Sequence, residues 1–226
     1  MDQTKIWAHF QNDEDGDAAF NSHTRYAFIT DRVAPSEKVL NVGVGRGGLE
    51  RLLAAKGVDF SCLDPDERSI DRIRQELRLA ERAVAGYSQS MPFGGETFDV
   101  VILSEVLEHL ADGVLSATLV EVHRILKLGG RFIGTVPADE NLADGRVVCP
   151  HCGEIFHRWG HVRSFSEAGL VETLRQYFRQ ARISRHFFGD PKQANVKGKL
   201  EWLAKRALLA AGLHGRNETF FFEAVR

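Results

Sequence analysis

Residues 41–48, NVGVGRGG, are the first stretch whose composition suggests chemistry. Glycines directly after an apolar run let the chain turn sharply and let a ligand approach the backbone with no Cβ in the way. If a helix follows, its first N–H groups and partial positive charge favour a pyrophosphate or a carboxylate. Two spacings coexist. Gly43, Gly45 and Gly48 spell G-x-G-x-x-G, a dinucleotide fingerprint, and Gly43, Gly45 and Gly47 spell G-x-G-x-G. Asp64 lies about 20 residues on, where an acid can accept hydrogen bonds from ribose hydroxyls. Loop and acid together indicate an adenosine-type cofactor.

Two further groups carry reactive side chains. In SEVLEHL (104–110), a helix starting near Glu105 would place Glu105, Glu108 and His109 on one face. His109 would then be the candidate general base, since imidazole titrates near neutrality. In VVCPHCGEIFHRWGHVRSF (147–165), Cys149, Cys152, His157 and His161 form C-x2-C-x4-H-x3-H. Two thiolates and two imidazoles can close a tetrahedral zinc site, and a closed site is structural. His151 is a weaker ligand candidate. The competing reading is a reduced, metal-free C-x-x-C with His161 turned to the active site. Arg158, Trp159, His161 and Arg163 would line an acceptor pocket, or Trp159 would simply pack the loop down.

The elements that position these groups alternate. Apolar runs at 38–42, 58–64, 82–87, 98–104, 131–137, 181–188 and 218–226 read as strands. Helical patterns at 48–57, 65–80, 115–130, 166–178 and 194–213 lie between them. This rhythm predicts an α/β doubly wound domain with a mainly parallel seven-stranded sheet. The expected organisation is a helical extension over 1–35, anchored by Ile6, Trp7, Phe10, Phe20, Tyr26, Phe28 and Ile29, then one domain over 36–226. That domain carries an insertion at 138–163, expected to be a small zinc-binding lid. The apolar stripe on helix 194–213 is expected to be core or a dimer contact, with peripheral membrane contact through 197–212 as the alternative.

The chain has 226 residues, 43% hydrophobic and 27% charged, with a net charge of −2. That balance gives no global attraction to nucleic acid or an anionic surface. The acidic N-terminus lacks an apolar signal-peptide core, and no apolar run reaches the ~18 residues of a membrane span. A cytoplasmic protein is expected.

MPFGGETFDVVILSEVLEHL (91–110) and EVHRILKLGGRFIGTVP (121–137) closely resemble the class I S-adenosylmethionine-dependent methyltransferases, especially those whose fourth strand ends in EVLEH. The likeness covers roughly residues 36–137 and, more loosely, 161–178. It implies a Rossmann-like methyltransferase fold with S-adenosyl-L-methionine as cofactor. Gly43, Gly45 and Gly47 would pass under the methionine and ribose, and Asp64 would bind the ribose diol. Tyr87, Ser88 and Gln89 would border the adenine, and Ser104 and Glu105 would approach the methyl group. Asn41 stands where the family usually has an acid facing the cofactor ammonium, and Tyr87 where many members carry an Asp. Methyl transfer to a small-molecule or glycan acceptor, at oxygen, is the expectation. A nicotinamide-binding oxidoreductase and a non-catalytic cofactor-binding module are the alternatives.

Overall fold

The apolar runs become strands β1 (Lys38–Val42), β2 (Asp59–Asp64), β3 (Ala83–Ala85), β4 (Phe98–Ser104) and β5 (Leu126–Pro137). A short hairpin, β6 (Arg146–Val148) and β7 (Ile155–His157), precedes β8 (Gln180–His186) and β9 (Thr219–Val225). Helices are α1 (Thr4–Asn12), α2 (His23–Asp31), α3 (Gly48–Ala55), α4 (Glu67–Glu76), α5 (Asp112–Ile125), α6 (Glu167–Arg175) and α7 (Val196–Ala210). The structure is a computed structural model that describes residues 4–12, 22–190 and 195–226. Phe20 and the first residue of the 194–213 helix lie outside the described residues.

The main sheet runs β3-β2-β1-β4-β5-β9-β8. Pairs among β1 to β5 are parallel, whereas β9 runs antiparallel to both β5 and β8. Alternation along the strands feeds two apolar layers. Val39, Val100, Ile102, Ile133 and Phe221 pack with residues of α2, α3 and α4 on one face. Leu40, Val101, Leu103, Phe132, Phe220 and Phe222 pack with residues of α5 and α6 on the other. Strand order reverses between β1 and β4, the switch point where open α/β sheets bind ligands beyond the carboxyl ends of the strands.

Two expectations change. The helix read over 115–130 starts earlier, at Asp112, and stops at Ile125; Leu126–Gly130 opens β5 instead, with Gly129 left-handed at φ +76°. Leu126 pairs with Phe98, and the Thr97 N–H takes the Ile125 carbonyl at 2.7 Å. Neighbouring chain thus captures backbone groups that a longer helix would use. The stripe on α7 is not core either: Val196, Leu200 and Leu203 are all more than half exposed. No helix among the described residues is long and apolar enough to cross a membrane.

Gly134, in the middle of β5, marks how closely the layers meet. A Cβ there would lie 1.9 Å from the Leu103 carbonyl oxygen and 2.6 Å from Phe222. Gly134→Ala should therefore destabilise the fold by about 3 kcal/mol through overpacking. Gly113→Ala, in α5 with open space around it, should change stability by less than about 1 kcal/mol. Urea unfolding of both variants beside the unsubstituted chain measures the contrast.

Candidate active site

A cavity of about 650 Å³ occupies the switch point. Its floor is the glycine loop: Asn41 to Gly45 line it, as do Asp64, Tyr87, Ser88, Gln89, Ser104 and Glu105. All but one of the residues expected around a nucleoside-bearing cofactor therefore meet in one space. The exception is Gly47, which is outside the lining. It is the left-handed N-cap of α3, at φ +79°, and a Cβ there would meet Ile73 at 2.0 Å. Packing of Ile73 of α4 against the start of α3, together with the left-handed backbone, dictates that glycine.

Asp64 ties the floor together. One carboxylate oxygen accepts the Val44 N–H at 2.8 Å and the other accepts the Asp66 N–H at 2.9 Å. It is 1% exposed, and burial pushes its pKa up against these two bonds. Asn41 is equally buried and donates to Glu50 Oε1 at 2.5 Å and to the Gly43 carbonyl at 3.2 Å. An acid at position 41 would put two carboxylates in contact beneath the loop, so asparagine suits the buried Glu50.

The other wall holds charge. The helix expected to start at Glu105 does not form. Glu105 is left-handed at φ +56°, and a single 3-10 turn covers Leu107–His109. Glu105, Glu108 and His109 nevertheless all line the cavity. Arg25 of α2, 8% exposed, approaches Glu105 at 3.9 Å. Glu108 is 1% exposed and neither of its oxygens has a hydrogen-bond partner among the described residues. Burial, with Glu105 nearby, drives its pKa well above the usual carboxylate range.

His109 does not have the surroundings of a general base at neutral pH. Burial lowers its pKa to about 3, aided by His161. Its Nδ1 lies 3.3 Å from the Gly160 carbonyl, and its ring meets Trp7 of α1 edge-on at 5.2 Å. His161 also reaches the cavity, its ring 4.8 Å from that of His109 and its Nδ1 2.6 Å from Glu140 Oε2. Trp7, Gln11, Arg25 and Tyr26 close the roof. Sequence reading treated Trp7 and Tyr26 only as apolar anchors and passed over Gln11, Arg25 and Glu140. No local motif marks them, because tertiary packing alone brings α1, α2 and the loop after β5 to the cleft.

The four-ligand zinc set is corrected. Cys149 and Cys152 sit at the tip of the β6–β7 hairpin, where the Cys149 N–H bonds the Glu154 carbonyl at 2.8 Å. His157 pairs with Arg146 at the other end, three residues or about 10 Å along the strand. Zinc bonds of 2.0–2.3 Å cannot bridge that gap. Among the described residues, two groups of metal-ligating side chains keep their donor atoms within 4.8 Å: Glu108–His109–His161 and Glu140–His157–His161. Neither includes a cysteine. The Cys149 sulfur accepts the backbone N–H groups of Cys152 and His151, which hold its thiol below the ordinary value. Trp159 lines the cavity with His161, whereas Arg163 is spent on the Leu110 carbonyl and Asp112.

Comparison with known proteins agrees with this geometry. Residues 40–134 match the family described as methyltransferase domain. The ubiquinone biosynthesis O-methyltransferase of Sinorhizobium medicae is 32% identical over 130 residues, 50% of this chain and 51% of that protein. The sarcosine/dimethylglycine N-methyltransferase of Halorhodospira halochloris is 29% identical over 150 residues, 62% of this chain and 53% of that protein. The chain thus spans about half the length of these relatives. Among solved structures, the fold is shared with the Burkholderia thailandensis 1,6-didemethyltoxoflavin-N1-methyltransferase, which was solved with S-adenosylhomocysteine. The TM-score is 0.66 at 18% identity, covering 99% of this chain and 86% of that one. Residues 40–134 thus carry a methyltransferase-domain match, and the chain shares the Rossmann-like fold of that solved methyltransferase.

Glu50 offers a direct check on the buried floor. Burial raises its pKa from 4.5 to about 7, so the folded chain keeps a proton that the unfolded chain has released between those values. That contribution is complete below about pH 4.5 and is lost as pH rises through about 7. Unfolding free energy should therefore fall between pH 5 and pH 8 by about 2–3 kcal/mol more in the unsubstituted chain than in Glu50→Gln. Denaturant titration of both proteins at the two pH values measures it.

Proposed function

We propose that this chain transfers a methyl group from S-adenosylmethionine to an oxygen of a small-molecule or glycan acceptor. The observation that carries the reading is the continuity of the cavity. The glycine loop and Asp64 line the same space as Ser104 and Glu105 and as the cluster of Glu108, His109, Glu140 and His161. A cofactor with its adenosine over the loop would present its methyl group toward that cluster, where the acceptor would bind. In-line placement of acceptor and sulfonium is then the main catalytic contribution.

In this reading Gly43 and Gly45 give the cofactor close access to backbone, and Asp64 binds the ribose diol with the lone pairs that Val44 and Asp66 leave. Tyr87, Ser88 and Gln89 border the adenine. Asn41 offers no charge to the cofactor ammonium, so that end is held by backbone carbonyls and Glu105. His109 acts as a neutral group in the acceptor pocket. Oxygen is preferred because the segment after β4, SEVLEH, resembles that of enzymes acting on small-molecule hydroxyls; one relative above is an O-methyltransferase and another an N-methyltransferase.

Calorimetric titration with S-adenosylhomocysteine tests the cofactor. Saturable binding to one site per chain is expected, with no binding of NADH. Asp64→Ala removes hydrogen bonds to a charged group, each worth about 1.5–3 kcal/mol, so affinity should weaken about 10- to 100-fold. Binding of NADH instead would return the glycine loop to its dinucleotide meaning, and unchanged affinity in Asp64→Ala would remove that residue from the cofactor site.

A further inference from the structure

One wall of the cavity gathers the imidazoles of His109 and His161 and the carboxyl groups of Glu108 and Glu140. We propose that Glu108, His109 and His161 bind one divalent first-row transition-metal ion there. This ligand set contains no cysteine.

Three observations carry it. The donor atoms of the trio already lie within 4.8 Å of one another. Ion–ligand bonds of about 2.1 Å bring neighbouring donors to roughly 3 Å, a closure that side-chain rotation can supply. The second observation is the tautomers. The Nδ1 of His109 faces the Gly160 carbonyl, and the Nδ1 of His161 faces Glu140 Oε2 at 2.6 Å. Each Nδ1 therefore carries the proton, and each Nε2 presents a lone pair. A metal-bound histidine typically donates its second ring N–H to a carbonyl or a carboxylate in this way. Third, Glu108 is 1% exposed with both oxygens unpartnered among the described residues. An unpaired buried carboxylate is costly unless something else neutralises it.

Charge fits as well. Carboxyl groups outnumber guanidinium groups there: Glu105, Glu108 and Glu140 line the cavity with Arg25, which lies 3.9 Å from Glu105. Two imidazoles and a carboxylate suit zinc, iron or manganese, with positions left open for another ligand. The neighbouring trio, Glu140–His157–His161, lacks the needed lone pair. His157 Nδ1 accepts the His161 backbone N–H at 3.3 Å, so its proton sits on Nε2, facing Glu140 Oε1 at 3.6 Å. His157 stacks on His161 at 4.6 Å and supports it.

Resting on the methyltransferase reading, the ion makes the acceptor a hydroxyl compound that coordinates it. Coordination acidifies the O–H, whose proton passes to water. The oxygen then forms the O–CH3 bond as the S–CH3 bond breaks and leaves a neutral thioether.

The test uses the full chain without an affinity tag, in a Cys149→Ser/Cys152→Ser background that removes thiol competition. Calorimetry with Zn²⁺ should give one saturable site per chain. Glu108→Gln and His161→Asn should each weaken it at least 100-fold, and Glu140→Gln, acting through His161, about 10- to 100-fold. Circular dichroism and melting verify that each variant is folded. X-ray absorption on the zinc-loaded chain with only the two cysteines replaced should show a nitrogen and oxygen shell near 2.0–2.1 Å; this readout does not depend on the other variants folding. No saturable site, or a site that survives both Glu108→Gln and His161→Asn, overturns the proposal. S-adenosylhomocysteine binding on the same samples is read separately: its loss with the ion site intact sinks the methyltransferase reading alone.

Discussion

Parallel strands can only be joined by crossovers, and here the crossovers leave the centre of the sheet in opposite directions. From β1 the chain moves through α3 to β2, and from β4 it moves through α5 to β5. Helices therefore diverge on the two faces, and no connection covers the carboxyl ends of β1 and β4. Much of the cleft's lining is anchored to this gap. The glycine loop leaves β1, Asp64 ends β2, and Ser104 and Glu105 end β4. The loop after β5 then brings Glu140 and His161 over the same opening.

Such a gap must hold polar groups in a place largely closed to water, and the chain handles its buried acids in three ways. Asp64 is stabilised as a carboxylate by backbone amides. Glu50 has one donor, Asn41, and favours its protonated form. Glu108 has none among the described residues. Buried polar groups are nearly always paired in folded proteins. The series runs from Asp64, held by backbone amides beneath the glycine loop, through Glu50, whose second oxygen has no partner, to Glu108, with neither oxygen paired among the described residues.

Much of this was legible in the residues. The main-sheet strands follow from short apolar runs bounded by glycine, proline and charge, and β1 and β4 match the sequence reading to the residue. The cofactor loop was legible because backbone chemistry leaves a glycine signature. Residues joined only by tertiary packing were not legible: Arg25 and Glu140 have no local pattern, yet each sits beside a cleft carboxylate or imidazole. The zinc assignment failed for a geometric reason. Spacing of C-x2-C-x4-H-x3-H counts residues, but a hairpin sets distance by register, and β6–β7 pairing holds His157 at the far end from the cysteines. The Glu105 helix failed similarly, since the left-handed turn at that residue breaks the periodicity that would have aligned its face.

The roof of the cavity has a thermodynamic consequence. Helix α1 is held by Asn12, which donates to Asp66 at 2.9 Å and accepts from Arg72 at 3.2 Å, and by Gln11, which accepts from the Ser69 hydroxyl at 3.2 Å. Trp7 lies over His109, and Phe10 packs on Trp159. These attachments reach the N-terminal end of α4 and the loop after β7, on both sides of the opening. A molecule bound against Trp7 and Gln11 would add its contacts to a nine-residue segment otherwise held by these hydrogen bonds and ring contacts. Occupancy would then hold that segment down by mass action. Binding in the cleft is thereby coupled to the docking of α1, a helix that contributes no strand or loop to the sheet below it.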